Sequence, residues 1–204
     1  MPSLCILDYG SGNVQSVMRA FQRLGVSLKI SNTERDMLNS SHVVLPGVGA
    51  FPSAMQKIDE LIGINRLMRQ LKSGKPFLGI CVGMQVLAGK GYEFTETDGI
   101  NYWESSEVEK IDSSIRLPHV GWNNIEHNET DQILIKIPNQ TDFYFVHSYA
   151  IKKLVNPEHE VAFTEYGSRF LAIAKNSNVY GVQFHPEKSQ LAGEQLLKNF
   201  LQIK

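Results

Sequence analysis

The sequence predicts an α/β fold: a mostly parallel central sheet flanked by helices, with an antiparallel C-terminal portion. Two observations predict it. In the first half, short apolar runs without a polar face alternate with segments of helical periodicity, as expected of parallel strands covered on both sides. In the second half, strand-like runs crowd together with too little chain between them for crossover helices.

The elements follow in order. "SLCIL" (3–7) reads as a strand, ended by the turn-rich "DYGSGN" with Asn13 as a candidate helix cap. Val14, Val17, Met18, Phe21 and Leu24 then recur at helical spacing until Gly25. "SLKI" (27–30) and "HVVLP" (42–46) are the next strands, the latter followed by "GVGAF". Ile58, Leu61, Ile62, Ile64, Leu67, Met68 and Leu71 resume the helical period, punctuated by Gly63 and closed by Gly74. "PFLGI" (76–80) is a strand, and a helix is expected from Val82 to about Leu87. Beyond it, "SEVEKI", "GWNNIEH", "QILIKI", "DFYFVHSY" and "EVAFTEY" all read as strands. "FLAIAK" and "VYGVQF" flank Asn-Ser-Asn at 176–178 as a hairpin, and 190–203 places Leu196, Leu197, Phe200 and Leu201 on one helical face. With no repeat or linker in view, one domain over residues 1–204 is expected.

Composition narrows the function. Twenty Lys and Arg against 21 Asp and Glu, dispersed without blocks, give a net charge of −1 and no electrostatic reason to bind nucleic acid or an anionic membrane. No apolar run approaches the ~18 residues of a membrane span. "MPSLCILDYG" lacks the basic and long apolar regions of a signal peptide, so a cytoplasmic location is expected. Cys5 and Cys81 make no disulfide framework.

Cys81 carries the chemistry. Gly79-Ile80-Cys81-Val82-Gly83 is G-x-C-x-G between a strand and a helix, the thiol counterpart of a nucleophile elbow. Such a turn lifts the sulfur clear of the sheet, and flanking glycines let the backbone fold tightly. A helix starting at Val82 favours thiolate and aims the Val82 N–H where an oxyanion would develop. A buried structural cysteine is the alternative, and it is the reading given to Cys5.

A nucleophilic thiol needs a base. "GVQFHPEKS" (181–189) sets His185 and Glu187 two apart across Pro186, and side chains i and i+2 of an extended chain share a side. Glu187 can then orient the imidazole of His185 while the other ring nitrogen faces Cys81. A metal site is not expected, because the remaining histidines are dispersed singly. "GSGNVQ" (10–15) has Gln15 where a dinucleotide fingerprint needs its third glycine, and "AGKG" (88–91) lacks the spacing of a phosphate loop.

With elbow and His-Pro-Glu together, the chain resembles the class I, triad-type glutamine amidotransferases, which share a flavodoxin-like sheet. "LPGVGAF" (45–51), "GICVGMQ" (79–85), "PHVGWN" (118–123), "YFVHSY" (144–149) and "FHPEKS" (184–189) resemble the branch that serves histidine biosynthesis. The resemblance implies Cys81 as nucleophile, His185 as acid and base, and Glu187 as its orienter. It implies an oxyanion strand at Gly47, Val48 and Gly49, joined by Val82. Gln85 and the backbone at His147 and Ser148 would hold glutamine. Trp122, Tyr144 and Lys188 would face a barrel-shaped synthase (cyclase) subunit in a heterodimer, near an ammonia passage. The half-reaction it implies needs no metal or organic cofactor. Val82 replaces a common leucine, Gln190 replaces a common serine, and 92–110 matches poorly. These departures leave open a paralogous glutaminase subunit that supplies ammonia for amidination of a surface-polysaccharide sugar, and a stand-alone cysteine hydrolase of the same fold is a further alternative.

Overall fold

The computed structural model describes residues 2–112, 114–128 and 131–204. β1 (Ser3–Leu7) pairs in parallel with β2 (Ser27–Ser31) on one side and β3 (His42–Gly47) on the other. α1 (Val14–Arg23) connects β1 to β2 and buries Val14, Val17 and Phe21 of the stripe read from its sequence together with Ala20, while Met18 and Leu24 are only partly buried. α2 (Glu34–Asn39) is too short to show a period. Its signal is local, because Thr33 caps it by accepting the Asp36 N–H at 3.3 Å. The apolar period through 58–71 resolves into α3 (Phe51–Leu61) and α4 (Ile64–Leu71), broken at Gly63 with φ 86°. A backbone angle in that left-handed region is open to glycine and interrupts a helix.

β4 (Phe77–Cys81) is wholly buried and runs parallel to β3. The helix expected from Val82 to about Leu87 is a single turn, α5 (Val82–Gln85), since the chain enters β5 (Ala88–Gly91) almost at once. β6 (Thr97–Asp98) and β7 (Trp103–Lys110) follow, so the divergent 92–110 segment builds two strands. β8 (His119–Asn124) and β9 (Glu126–His127) precede β10 (Asp142–His147) and β11 (Tyr149–Ile151). β12 (Glu160–Tyr166), β13 (Ser168–Asn176) and β14 (Val179–Val182) complete the strands, and α6 (Gln190–Phe200) ends the fold.

The eight-stranded main sheet has the order β2-β1-β3-β4-β14-β13-β12-β9. From β2 to β14 it is parallel, and from β14 to β9 antiparallel. β14 is therefore the seam: Val182 pairs with Ile80 of β4 on one side and Ile173 of β13 on the other. The other strands form a β10-β8 pair and a β11-β7-β5-β6 sheet in which β5 and β7 are parallel. The hairpin at 176–178 forms, with Ser177 at φ 54°. Phe143 and Phe184 stack at 4.1 Å and tie β10 to the end of β14. Among the described residues, no helix is long and apolar enough to cross a membrane.

One strand expectation fails. "QILIKI" alternates apolar residues like a half-buried strand, yet 132–134 is a 3-10 turn capped by Asp131. Its carbonyls find a side chain rather than a strand: Asn199 Nδ2 of α6 donates to Ile133 O at 2.9 Å and to Ile135 O at 2.7 Å. A strand needs an edge to pair with, and period alone does not supply one.

Candidate active site

The parallel strands β3, β4 and β14 all end at the same edge of the sheet, which is where open α/β sheets hold their ligands. Cys81 closes β4 there with φ 54° and ψ −111°, outside the allowed regions for a residue with a side chain. Surrounding backbone holds it in place. A Cβ on Gly79 would lie 2.4 Å from Gly83 O, and one on Gly83 would lie 1.9 Å from Leu45 O. Both glycines of G-x-C-x-G are therefore required by close approach, the second one against β3. The strained elbow points the sulfur into a cavity of about 140 Å³.

That cavity is lined by Val48, Gly49, Val82, Gln85, His147, Ser148, His185 and Lys188 in addition to Cys81. Gly49 has φ 102°, an angle that glycine alone adopts without strain. Gly47 is not among the lining residues. It is buried against the elbow, where a Cβ would meet Gly83 N at 2.5 Å and the Tyr9 hydroxyl at 2.7 Å. Trp122 and Tyr144 lie outside the cavity as an edge-to-face pair 5.9 Å apart. Lys188 joins the two places, since its Nζ is 5.9 Å from the Tyr144 ring.

His185 follows β14 and is 1% exposed. Its backbone is clasped to β10. The His185 N–H donates to Tyr144 O at 2.8 Å, and Ser189 Oγ donates to His185 O at 2.7 Å while accepting the Tyr144 N–H at 3.0 Å. Glu187 is not two residues along an extended strand, because Pro186–Lys188 curls into a 3-10 turn. The turn still brings the carboxylate under the ring, with Glu187 Oε1 2.8 Å from His185 Nδ1. Asn13, read as a helix cap, makes no cap bond and instead donates Nδ2 to the same Oε1 at 3.2 Å. Glu187 Oε2 is buried with no hydrogen-bond partner among the described residues.

Burial alone would lower the pKa of His185. The charge of the Cys81 thiolate and a hydrogen bond to it, followed by the Glu187 carboxylate, outweigh that and push it up to about 10. Cys5 has the opposite setting. It is fully buried within β1, and burial raises its pKa to about 11. Two further histidines are held neutral: burial lowers His119 to about 4 and His147 to about 3. Both His147 nitrogens are engaged, Nδ1 with Tyr149 O at 2.9 Å and Nε2 with His119 Nδ1 at 3.3 Å.

Two groups of the site escaped the sequence reading, one in the cavity lining and one against the sulfur. Glu93 is the one carboxylate lining the cavity among the described residues, and its Oε2 accepts the Phe51 N–H at the start of α3 at 2.8 Å. It lies in the divergent segment, where no motif marks it. Gln183, fully buried, has its amide nitrogen 3.6 Å from Cys81 Sγ. Its signal was its place in "GVQFHPE", two residues before the histidine.

A thiol on a strained elbow, an imidazole beside it and a carboxylate behind the imidazole define an α/β protein arranged for thiol chemistry. The family model for class-I glutamine amidotransferases matches residues 5–203, and this chain belongs to that family. It is 38% identical over 202 residues, covering 98% of this chain and 100% of the relative, to imidazole glycerol phosphate synthase subunit HisH 1 of Campylobacter jejuni. It is 40% identical over 197 residues to the HisH subunit of Desulfitobacterium hafniense, covering 96% and 92% of the two chains. In the solved structure of PurLQS from Thermotoga maritima, one chain shares the fold with a TM-score of 0.75 at 18% identity, covering 98% of this chain and 97% of that one.

Proposed function

We propose that this chain hydrolyses glutamine to glutamate and ammonia, and delivers the ammonia to a synthase (cyclase) barrel subunit that forms imidazole glycerol phosphate in histidine biosynthesis. The observation that carries the chemistry is the buried His185–Glu187 contact of 2.8 Å beside the cavity that holds Cys81. The names of the relatives, matched over nearly their full lengths, carry the pathway and the partner.

In this reading Cys81 Sγ attacks the side-chain amide carbon of glutamine, and the C=O electron pair moves onto oxygen. Backbone N–H groups around Val82 and the Val48–Gly49 loop hold that oxyanion. His185 protonates the amide nitrogen, the C–N bond breaks, and a thioester remains on Cys81. Water then attacks the thioester carbon, His185 takes its proton, and the C–S bond breaks to release glutamate. Glu187 keeps the proton of His185 on Nδ1 and stabilises imidazolium in both halves. Glutamine brings an α-ammonium group, and Glu93 is the anion lining the cavity to receive it. Gln85 and the backbone at His147 and Ser148 hold the rest of the substrate.

The partner is assigned to the face that carries Trp122, Tyr144 and Lys188. Trp122 and neighbouring Val120 are 48% and 56% exposed, an apolar rim suited to burial by another chain. Ammonia released at Cys81 would leave past Lys188, which touches both cavity and rim. We place this activity in the cytoplasm. The test is glutamate release by the purified chain with and without the cyclase and its ligand. Strong stimulation supports the reading, and full activity without any partner points to a stand-alone hydrolase.

A further inference from the structure

Among the described residues Cys81 Sγ has two hydrogen-bonding neighbours besides His185, and they favour opposite states of the sulfur. Val146 O lies 3.8 Å away, where a thiol S–H can donate to it. A carbonyl in that position favours thiol over thiolate. On the other side is the side chain of Gln183, fully buried and 3.6 Å from Sγ.

The orientation of that amide follows from its neighbours. Tyr149 O can only accept, so the Gln85 group 2.7 Å from it is the NH₂. The same nitrogen is 3.0 Å from the Gln183 side chain, so the atom it meets there is the Gln183 oxygen. Gln183 is then left with its NH₂ facing sulfur. A backbone carbonyl thus fixes, through two buried amides, a donor aimed at the nucleophile. The Gln183 backbone is fixed as well, its N–H donating to Ala172 O at 2.9 Å.

We propose that Gln183 is a further catalytic residue, whose amide N–H donates to the Cys81 thiolate and opposes the Val146 carbonyl. This rests on the reading of Cys81 as nucleophile. Hydrogen bonds to a charged acceptor are stronger than to a neutral one, so the contact stabilises thiolate over thiol. The donor is neutral, so it does not compete with His185 for a proton. The titratable groups that also face the sulfur or its cavity are His185, Tyr9, His147, Glu93 and Lys188, with Glu187 acting through His185.

The experiment follows alkylation of Cys81 in the full chain by iodoacetamide against pH, with the modified residue identified by mass spectrometry. Gln183→Met keeps the length and removes the donor. The lower pH midpoint of alkylation should rise by about one unit or more. In the complex with the synthase, kcat should fall about tenfold or more while KM changes less. Gln183→Asn keeps an amide but withdraws it by one methylene, and it should shift the midpoint in the same direction. A residue that merely packs would lower the melting temperature and leave the midpoint in place. An unchanged midpoint in whichever variant folds overturns the proposal while leaving Cys81 as the nucleophile. A wild-type Cys81 that resists alkylation at every pH overturns both.

Discussion

Asn13 and Glu187 stand 174 positions apart, yet the Asn13 amide donates to the Glu187 carboxylate at 3.2 Å. The oxygen it meets is the one that accepts from His185, so the start of α1 holds the carboxylate against the imidazole. Asn13→Ala should lower glutaminase kcat about 3- to 10-fold by loosening that oxygen. Asn13→Asp should cost more, because it sets a second carboxylate against the first. Steady-state rates of the partner-bound enzyme check both, and equal activity of Asn13→Asp and wild type would remove the role.

Cys81 alone should react with a glutamine-mimicking electrophile. Cys5 is fully buried in β1 with its pKa raised to about 11 by burial, so it offers neither access nor thiolate. Mass spectrometry of the labelled chain is the check, and a label retained in Cys81→Ser would contradict the assignment.

His185→Ala should lose nearly all glutaminase activity, on the order of 10³-fold or more, because in the proposed mechanism His185 moves protons in both halves of the reaction. Glu187→Gln should lose less, since the carboxylate orients and stabilises without transferring a proton. Equal losses are compatible with the triad. A fully active His185→Ala is not.

The isolated chain should hydrolyse glutamine slowly, with stimulation by partner and acceptor ligand of roughly 10²–10³-fold or more. The reason is the Pro46-Gly47-Val48-Gly49 stretch. Gly49 sits at φ 102°, and a peptide there can turn either its C=O or its N–H to the cavity. Gly49→Pro removes one N–H and holds φ near −65°, so it should abolish most of the stimulation. Glutamate release with and without the synthase measures it, and a free chain already at full speed would contradict a switch here.

Acid should destabilise the fold through His119 and His147. Burial holds both neutral, at about 4 and about 3 in the folded chain against about 6.5 unfolded. Between those values the unfolded chain binds more protons, so the stability they contribute is present above about pH 6.5 and is lost as pH falls. His119→Phe keeps a ring between Phe145 and Tyr166, which stack on it at 5.1 and 4.0 Å, and removes one of these protons. Its melting temperature should depend less steeply on pH between about 6.5 and 4. His185 acts oppositely: its folded pKa near 10 gives stability that is full below about 6.5 and fades as pH rises through 10.

The parallel half of the fold was legible because β1, β3 and β4 are apolar runs that the sheet buries, while the edge strand β2 stays half exposed, and because each main helix carries a clear stripe. The elbow was legible because its G-x-C-x-G pattern marks a tight turn, with Gly79 needed within the turn itself and Gly83 against β3. Long-range partners were not. Asn13 reads as a cap because the residue it meets comes near the end of the chain, and "QILIKI" reads as a strand because Asn199 is invisible from its own neighbourhood. Gly47 shares a motif with Gly49, yet the structure packs it against the elbow. Glu93 and Gln183 escaped for a plainer reason: a charged or amide side chain signals nothing by type until the fold sets it at a cavity or beside a sulfur.

β14 enters the sheet between β4 and β13, carrying Gln183 and His185 at its end. On a ribosome, the segment with Cys81 emerges long before that strand exists. Until the strand inserts, the cysteine has no imidazole, no carboxylate behind it and no buried amide beside it. In the proposed mechanism, therefore, reactivity would arrive with one of the last strands, and a chain cut short before it would lack the groups that the reaction needs.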